Sequence, residues 1–318
     1  MPSYSGVWSL SQQFQAVGQG LWPPNFVADG TFAIFALGSG TTTRNKYTYS
    51  GCVVAAGGAS TVVSRFGSAA GNSTVGIFAL GLTCACTRST TRNKYTYSGC
   101  VVSAGGAATI ASSAGSAAGN STTGIFALGF GSGRLCTRDK YTYSGCVVSS
   151  ATSASAASRR GSATGNSTVG IFALGDVCGV GAATTRDKYT YATNTNVGAT
   201  AATAASIYQS AAGNSTVGIF ALGFVGCTSR VTTRNKYTYS GDVVSAGGAA
   251  TVASSDGSAA GNSTIGIFAL GTTNAAPCGS TTRNTYTYSG CVVAAGGAST
   301  AASVGGAAAS NGIVGVTL

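Results

Sequence analysis

The 318 residues contain no histidine, and that absence constrains the chemistry more than any residue present. Histidine is the usual general base near neutral pH and the commonest metal ligand. Acid–base work would fall to six acidic residues, all of them Asp. Asp139 and Asp187 occupy equivalent positions in adjacent copies of a repeat, where other copies carry Asn. Equivalent positions on neighbouring repeats are too far apart for paired-carboxylate catalysis, so these two are expected to pair locally with Arg or Lys. Ten cysteines raise the question of disulfides or zinc, but there is no CxxC pair. Cys52, Cys100, Cys146 and Cys291 recur at one repeat position, and Asp242 fills it elsewhere. Cys84, Cys86, Cys136, Cys178, Cys227 and Cys278 fall in variable loops. A six-residue strand would hold the two sets about 20 Å apart, whereas a disulfide needs Cα atoms within about 7 Å. Free thiols in a reducing cytoplasm are therefore expected. The reading is non-enzymatic, with no catalytic, cofactor or metal residues.

The remaining polar chemistry is cationic. Arg44/Lys46, Arg92/Lys94, Arg138/Lys140, Arg186/Lys188 and Arg234/Lys236 recur as Arg-x-Lys pairs, and Arg283 stands alone in the last copy. Period-two alternation places both members on the strand face opposite a pair of tyrosines. They form either a basic belt for an anionic partner or stems packed between repeats with heads reaching solvent or carbonyls. A second set lies in loops of variable length and sequence: Arg88, Phe130, Arg134, Phe224 and Arg230. Variable loops on a rigid scaffold are where binding is expected.

The element that positions all of these is a repeat of about 47 residues. Ile-Phe-Ala-Leu-Gly begins at Ile34, Ile77, Ile125, Ile171, Ile219 and Ile267. After it come a variable loop, then Thr-Arg-Asn/Asp-Lys-Tyr-Thr-Tyr, a Ser-Gly turn, and Cys/Asp-Val-Val. A Gly/Ala/Ser stretch ending in Ala-Gly-Asn-Ser-Thr closes the unit. Each segment reads as a short strand bounded by turn residues, giving four antiparallel strands per unit. Several short strands per 40–50 residues is the mark of propeller blades. The small residues of Ser-Ala-Ala-Gly suit innermost strands that crowd an axis. The Phe and the tyrosine pairs suit the widening gaps farther out.

The unit resembles the kelch family. It has a small-residue inner strand, a hydrophobic strand ending in glycine, and a strand carrying Tyr. Ala-Leu-Gly stands where kelch repeats carry a double glycine, and the outer-strand Trp is missing. The resemblance covers residues 31–318 and implies an all-β, six-bladed kelch-like β-propeller with four antiparallel strands per blade. The first unit lacks an inner strand, and Gly305–Asn311 reads as the orphan that would supply it, closing the circle and removing open edges. Kelch folds host many activities, so function does not follow from the resemblance.

Residues 1–30 lie outside the repeat and hold Trp8, Phe14 and Trp22, with a cluster of Gln and Pro. The stretch from Tyr4 to Pro24, including Trp-Ser-Leu-Ser-Gln-Gln-Phe-Gln, resembles the leader of structural proteins of marine tailed bacteriophages, cyanophages among them. That resemblance implies a docking segment and a virion role: a tail fibre or other appendage, assembled in the bacterial cytoplasm, multi-copy or homo-oligomeric, touching other virion proteins through residues 1–30. A cellular kelch-type adhesin or scaffold is the other class in view. The net charge of +11 is spread along the chain and favours anionic partners, a host surface glycan among them. No clustered basic patch points to nucleic acid. No uncharged apolar run reaches the 18 residues of a membrane span, and no secretory leader pattern opens the chain.

Overall fold

A computed structural model describes residues 30–83, 87–226 and 229–312. Trp8, Phe14, Trp22, Cys84, Cys86, Cys227 and residues 313–318 lie outside them. The described chain is all-β, with no α-helix, and contains six four-stranded antiparallel sheets. The second sheet is the template: Ser68–Gly71, Val75–Ala79, Arg92–Thr96 and Val101–Ala104 follow in chain order and pair in that order. Ala69 faces Phe78, Phe78 faces Asn93, and Asn93 faces Ala104 across its ladders. The first sheet is assembled from both ends of the described chain. Its innermost strand is Ala307–Ser310, paired with Phe32–Ala36.

Each innermost strand packs on those of the sheets before and after it. Ser258–Gly261 of the sixth sheet meets Ala307–Ser310 of the first, so the contacts return to where they began. Small residues are required here. A Cβ added to Gly71 or Gly76 would come within 2.9 and 2.8 Å of the Tyr97 hydroxyl. Between the third and fourth strands the chain turns through Ser-Gly-Cys, where Gly51 has φ 74°. Glycine adopts that conformation without steric cost.

The core lies between sheets. Alternation along Val-Gly-Ile-Phe-Ala sends Ile to one neighbour and Phe to the other. Ala70 and Ile77 of the second sheet thus pack on Phe126, Tyr141 and Tyr143 of the third. The same arrangement joins the sixth sheet's Ile267 to Phe35, Tyr47 and Tyr49 of the first. Each such large apolar side chain contributes roughly 1.5–3 kcal/mol on burial.

The arginines of the Arg-x-Lys pairs complete these interfaces: of the two readings, stems packed between repeats hold for them, with Nη1 of Arg44, Arg92, Arg234 and Arg283 donating to a glycine carbonyl, and the basic belt does not. Arg44, Arg92, Arg138, Arg186, Arg234 and Arg283 are fully buried, and their heads do not reach solvent. Each guanidinium crosses to the next sheet and lies 4.4–4.7 Å from the centroid of its Phe: Phe78, Phe126, Phe172, Phe220, Phe268 and Phe35. Nη2 then donates to the Asn or Asp at the equivalent position of the next repeat. The partners are Asn93 (3.0 Å), Asp139 (2.7 Å), Asp187 (2.7 Å), Asn235 (3.1 Å), Asn284 (3.2 Å) and Asn45 (3.1 Å). Asp139 and Asp187 are therefore partners of the preceding repeat's arginine rather than of a local one. The lysines remain half-buried. Lys46 Nζ lies 4.2 Å from the centre of the Phe32 ring, and Lys188 Nζ lies 3.9 Å from Asp242.

Two consequences are measurable. Removing Ala307–Ser310 with a chain ending at Val304 exposes Ile34 and leaves one sheet edge unpaired. Its Tm is expected to fall by more than about 10 °C; an unchanged Tm would show that this strand does not close the first sheet.

The second consequence concerns pH. Burial raises the pKa of eleven tyrosines of the third-strand pairs, Tyr95 to about 12 and Tyr97, Tyr191 and Tyr288 well above their usual value. Their stabilisation is complete below pH 10 and is lost as pH climbs towards the folded values. Burial lowers Arg44, Arg186, Arg234 and Arg283 to about 10, and relief of that cost acts in the opposite sense. The tyrosines outnumber them, so stability should fall above pH 10. Phenol absorbance should show most tyrosines silent until the chain unfolds, then ionising together. A smooth titration centred near pH 10 in folded protein would contradict this burial.

Candidate functional site at the loop end of the sheets

The antiparallel order gives the sheets two distinct ends. First strands begin, and second strands finish, at the end that carries the variable loops. Gly30 and Gly312 lie at the opposite end, where the Asn262 side chain donates to the Gly30 carbonyl. Small extra ladders pin the loops down: Ser158–Arg159 pairs with Asp176–Val177, Ser206–Ile207 with Phe224–Val225, and Ser254–Ser255 with Thr272–Thr273. Each of these loops is thereby tied to the segment just before the innermost strand of its own sheet.

The five loop residues expected from sequence converge on those segments. The guanidinium carbons of Arg88 and Arg159 lie 4.4 and 4.7 Å from the Phe130 centroid. Asp176 accepts from Arg134 Nη2 and from Arg159 Nε, each at 2.8 Å. Burial pushes the Asp176 carboxyl up, but these hydrogen bonds outweigh it and hold the pKa below the usual carboxylate range. Arg160 stacks 4.5 Å from the Tyr208 centroid, Tyr208 meets Phe224 edge-on at 6.2 Å, and Arg230 lies 4.8 Å from Phe224. Arg230 continues to Ser255 and Asn274, both at 3.2 Å. Alternating cations and aromatic rings thus cross several repeats, all half-buried except Asp176, which is buried. Such stacked guanidiniums contribute about 0.5–2 kcal/mol each.

At the axis this end is closed by backbone alone. Ala114, Arg160, Tyr208 and Asp256 each donate an N–H to the equivalent carbonyl of the preceding repeat, Phe66 donates to Gly305, and Gly305 donates to Asp256, at 2.7–3.1 Å. These six residues, five of them with side chains, surround a cavity of about 80 Å³. Sequence reasoning missed this ring. Its signal was one column, immediately before Gly-Ser-Ala-Ala, that reads Phe, Ala, Arg, Tyr, Asp, Gly amid near-identical neighbours.

The charge is partitioned rather than evenly spread. Six of the 17 cationic residues are the buried inter-sheet arginines, five are the lysines, and Arg65, Arg88, Arg134, Arg159, Arg160 and Arg230 belong to the loop end. Among the described residues no group of three or more Cys or Asp could hold a metal, and no helix is long and apolar enough to cross a membrane. The seven described cysteines are free. Cys52, Cys100, Cys146 and Cys291 take φ of 53–56° beside the first tyrosine of each pair. Asn194 and Asp242 hold that position in the other two repeats and accept the hydroxyls of Tyr189 and Tyr237. Left-handed φ suits Asn and Asp better than Cys.

Replacing Asp176 by Asn removes the charge that joins Arg134 to Arg159. The expected cost is about 1.5–3 kcal/mol at pH 7, shrinking as pH falls below the normal carboxylate range because the wild-type carboxylate is then protonated too. Equal stability of the two proteins at pH 7 would mean the ion pairs do not order the loops. Against this geometry, no family model matches the chain, and no curated protein matches it either.

Proposed function

We propose that the chain is a six-bladed, kelch-like propeller acting as a non-enzymatic structural and attachment module of a phage particle. In this reading residues 1–30 dock to other virion proteins, and the loop end faces outward to meet anionic host surface glycans. One observation carries it: Gly30 sits at one end of the sheets, while the sequence-variable arginines and aromatics are gathered at the other. A chain anchored through its first residues would present that variable end to its surroundings.

The non-enzymatic reading is supported by what the carboxylates do. Asp139 and Asp187 are fully buried against arginine, Asp176 is held by two arginines, and Asp242 accepts from Tyr237 and Thr200. Each is committed to structure. The lattice of buried inter-sheet contacts also suits a scaffold, since rigidity is what a display platform requires.

Docking through Trp8, Phe14 and Trp22 follows the habit of interfaces to use large apolar anchors, worth about 2 kcal/mol or more each when central. A protein beginning at Asp29 should fold and melt like the full chain yet fail to join particles or to assemble with other virion proteins. Unfolding of that truncated protein, or its normal incorporation, would overturn the docking role.

A further inference from the structure

We propose that the axial mouth at the loop end, lined by Phe66, Arg160, Tyr208 and Asp256, binds the terminal unit of an acidic saccharide, a uronic acid or a related carboxylated pyranose. The proposal rests on the reading of this end as the ligand-facing one and names the ligand and its place.

The backbone supplies the first argument. All six residues at this position have left-handed φ, from 54 to 60°. Gly305 shows that glycine satisfies the ring, yet Phe66, Ala114, Arg160, Tyr208 and Asp256 stand in the other five repeats. A side chain in this conformation costs about 1–2 kcal/mol. Such strain, kept where glycine would do, points to a use for the side chains. Their diversity adds to this, because the strand that follows is Ser-Ala-Ala-Gly in four of the repeats.

Chemistry selects the ligand. The Arg160 guanidinium stacks on Tyr208, and the carboxylate it faces, Asp176 Oδ2, is 4.0 Å from Nη1, beyond hydrogen-bond length. A planar fork with free donors fits a carboxylate bidentately. Among the described residues Asp256 accepts from Ser255 at 3.0 Å and forms no ion pair, so its carboxyl is available to sugar hydroxyls. Burial pushes that carboxyl up, as expected of a group that gains from a donor. The Tyr208 and Phe66 rings offer apolar surface to the C–H face of a pyranose. Gln209 takes no part: its amide donates to Ser206 and accepts from Ser162. The cavity of about 80 Å³ is well below the ~300–1,000 Å³ of sites that engulf a ligand. It suits the tip of a chain whose remainder runs over the surrounding arginines.

The test uses the full chain with D-glucuronic acid, D-galacturonic acid, D-glucose and a tetragalacturonate, by saturation-transfer NMR and calorimetry. Uronates should bind, glucose at least tenfold more weakly, and binding should weaken as salt is raised. Arg160→Gly and Tyr208→Gly should each lower uronate affinity at least tenfold. Their Tm should stay within a few degrees of the parent protein, because relief of the left-handed φ offsets the lost stacking. Uronate binding that survives both changes but is lost in Arg88→Gln or Arg230→Gln would overturn the axial site and leave the loop end as the binding end. Failure of every uronate to bind would overturn both. Preferential binding of polyglutamate over the uronates would overturn the saccharide assignment.

Discussion

An arginine buried between two sheets is the interaction on which the rest depends. Taking a guanidinium out of water is costly, and four of the six face a neutral asparagine rather than a carboxylate. The charge is tolerated because each sheet meets it with the face of a phenylalanine and an amide or carboxylate oxygen. The same oxygen accepts a backbone N–H from the linker of the arginine's own repeat, as Asn93 does from Thr61 and Asp139 from Thr109. One side chain therefore fastens three things: the arginine, the linker and the receiving sheet. Arg283 repeats this on Asn45, so the sixth sheet is fastened to the first by the same contact that fastens neighbours.

That fastening leaves the two ends of the sheets free to differ. Along the inner strands, small residues are enforced by the tyrosine hydroxyls and by the neighbouring inner strands, so variation there is confined to Thr164 and to Ala307–Ser310. At the loop end the constraint is carried by backbone hydrogen bonds instead, and backbone bonds do not care which side chain projects from them. Diversity collects where the structure can bear it, in the six residues of the axial ring and in the loops pinned beside them.

Much of this was legible in the sequence because it repeats. Four strands per unit, the Ile and Phe alternation, the tyrosine pairs and the missing inner strand of the first sheet could all be read from pattern. Less legible was anything that depends on contact between units. Alternation puts Arg44 and Lys46 on one face, but only the adjoining sheet decides that Arg44 is buried beneath Phe78 while Lys46 stays half-exposed. The loop residues Arg88, Phe130, Arg134, Phe224 and Arg230 were found as variable positions. Their partners Arg159 and Tyr208 were not, since they lie in segments that read as linker, and Asp176, although it opens a variable loop, carried no signal that set it apart. Trp8, Phe14 and Trp22 stood out by composition, and they lie outside the described residues.

The central claim is that buried arginine clasps join the sheets in a cycle, and the clasp from last to first tests it most directly. A double-mutant cycle with Arg283→Leu and Asn45→Ala, followed by equilibrium unfolding, isolates that one contact across 238 residues of sequence. If the sheets form a cycle, the coupling energy should be about 1.5–3 kcal/mol, the range for a hydrogen bond to a charged group. Additivity within about 0.5 kcal/mol would mean that the two residues do not meet and that the sheets do not close on themselves.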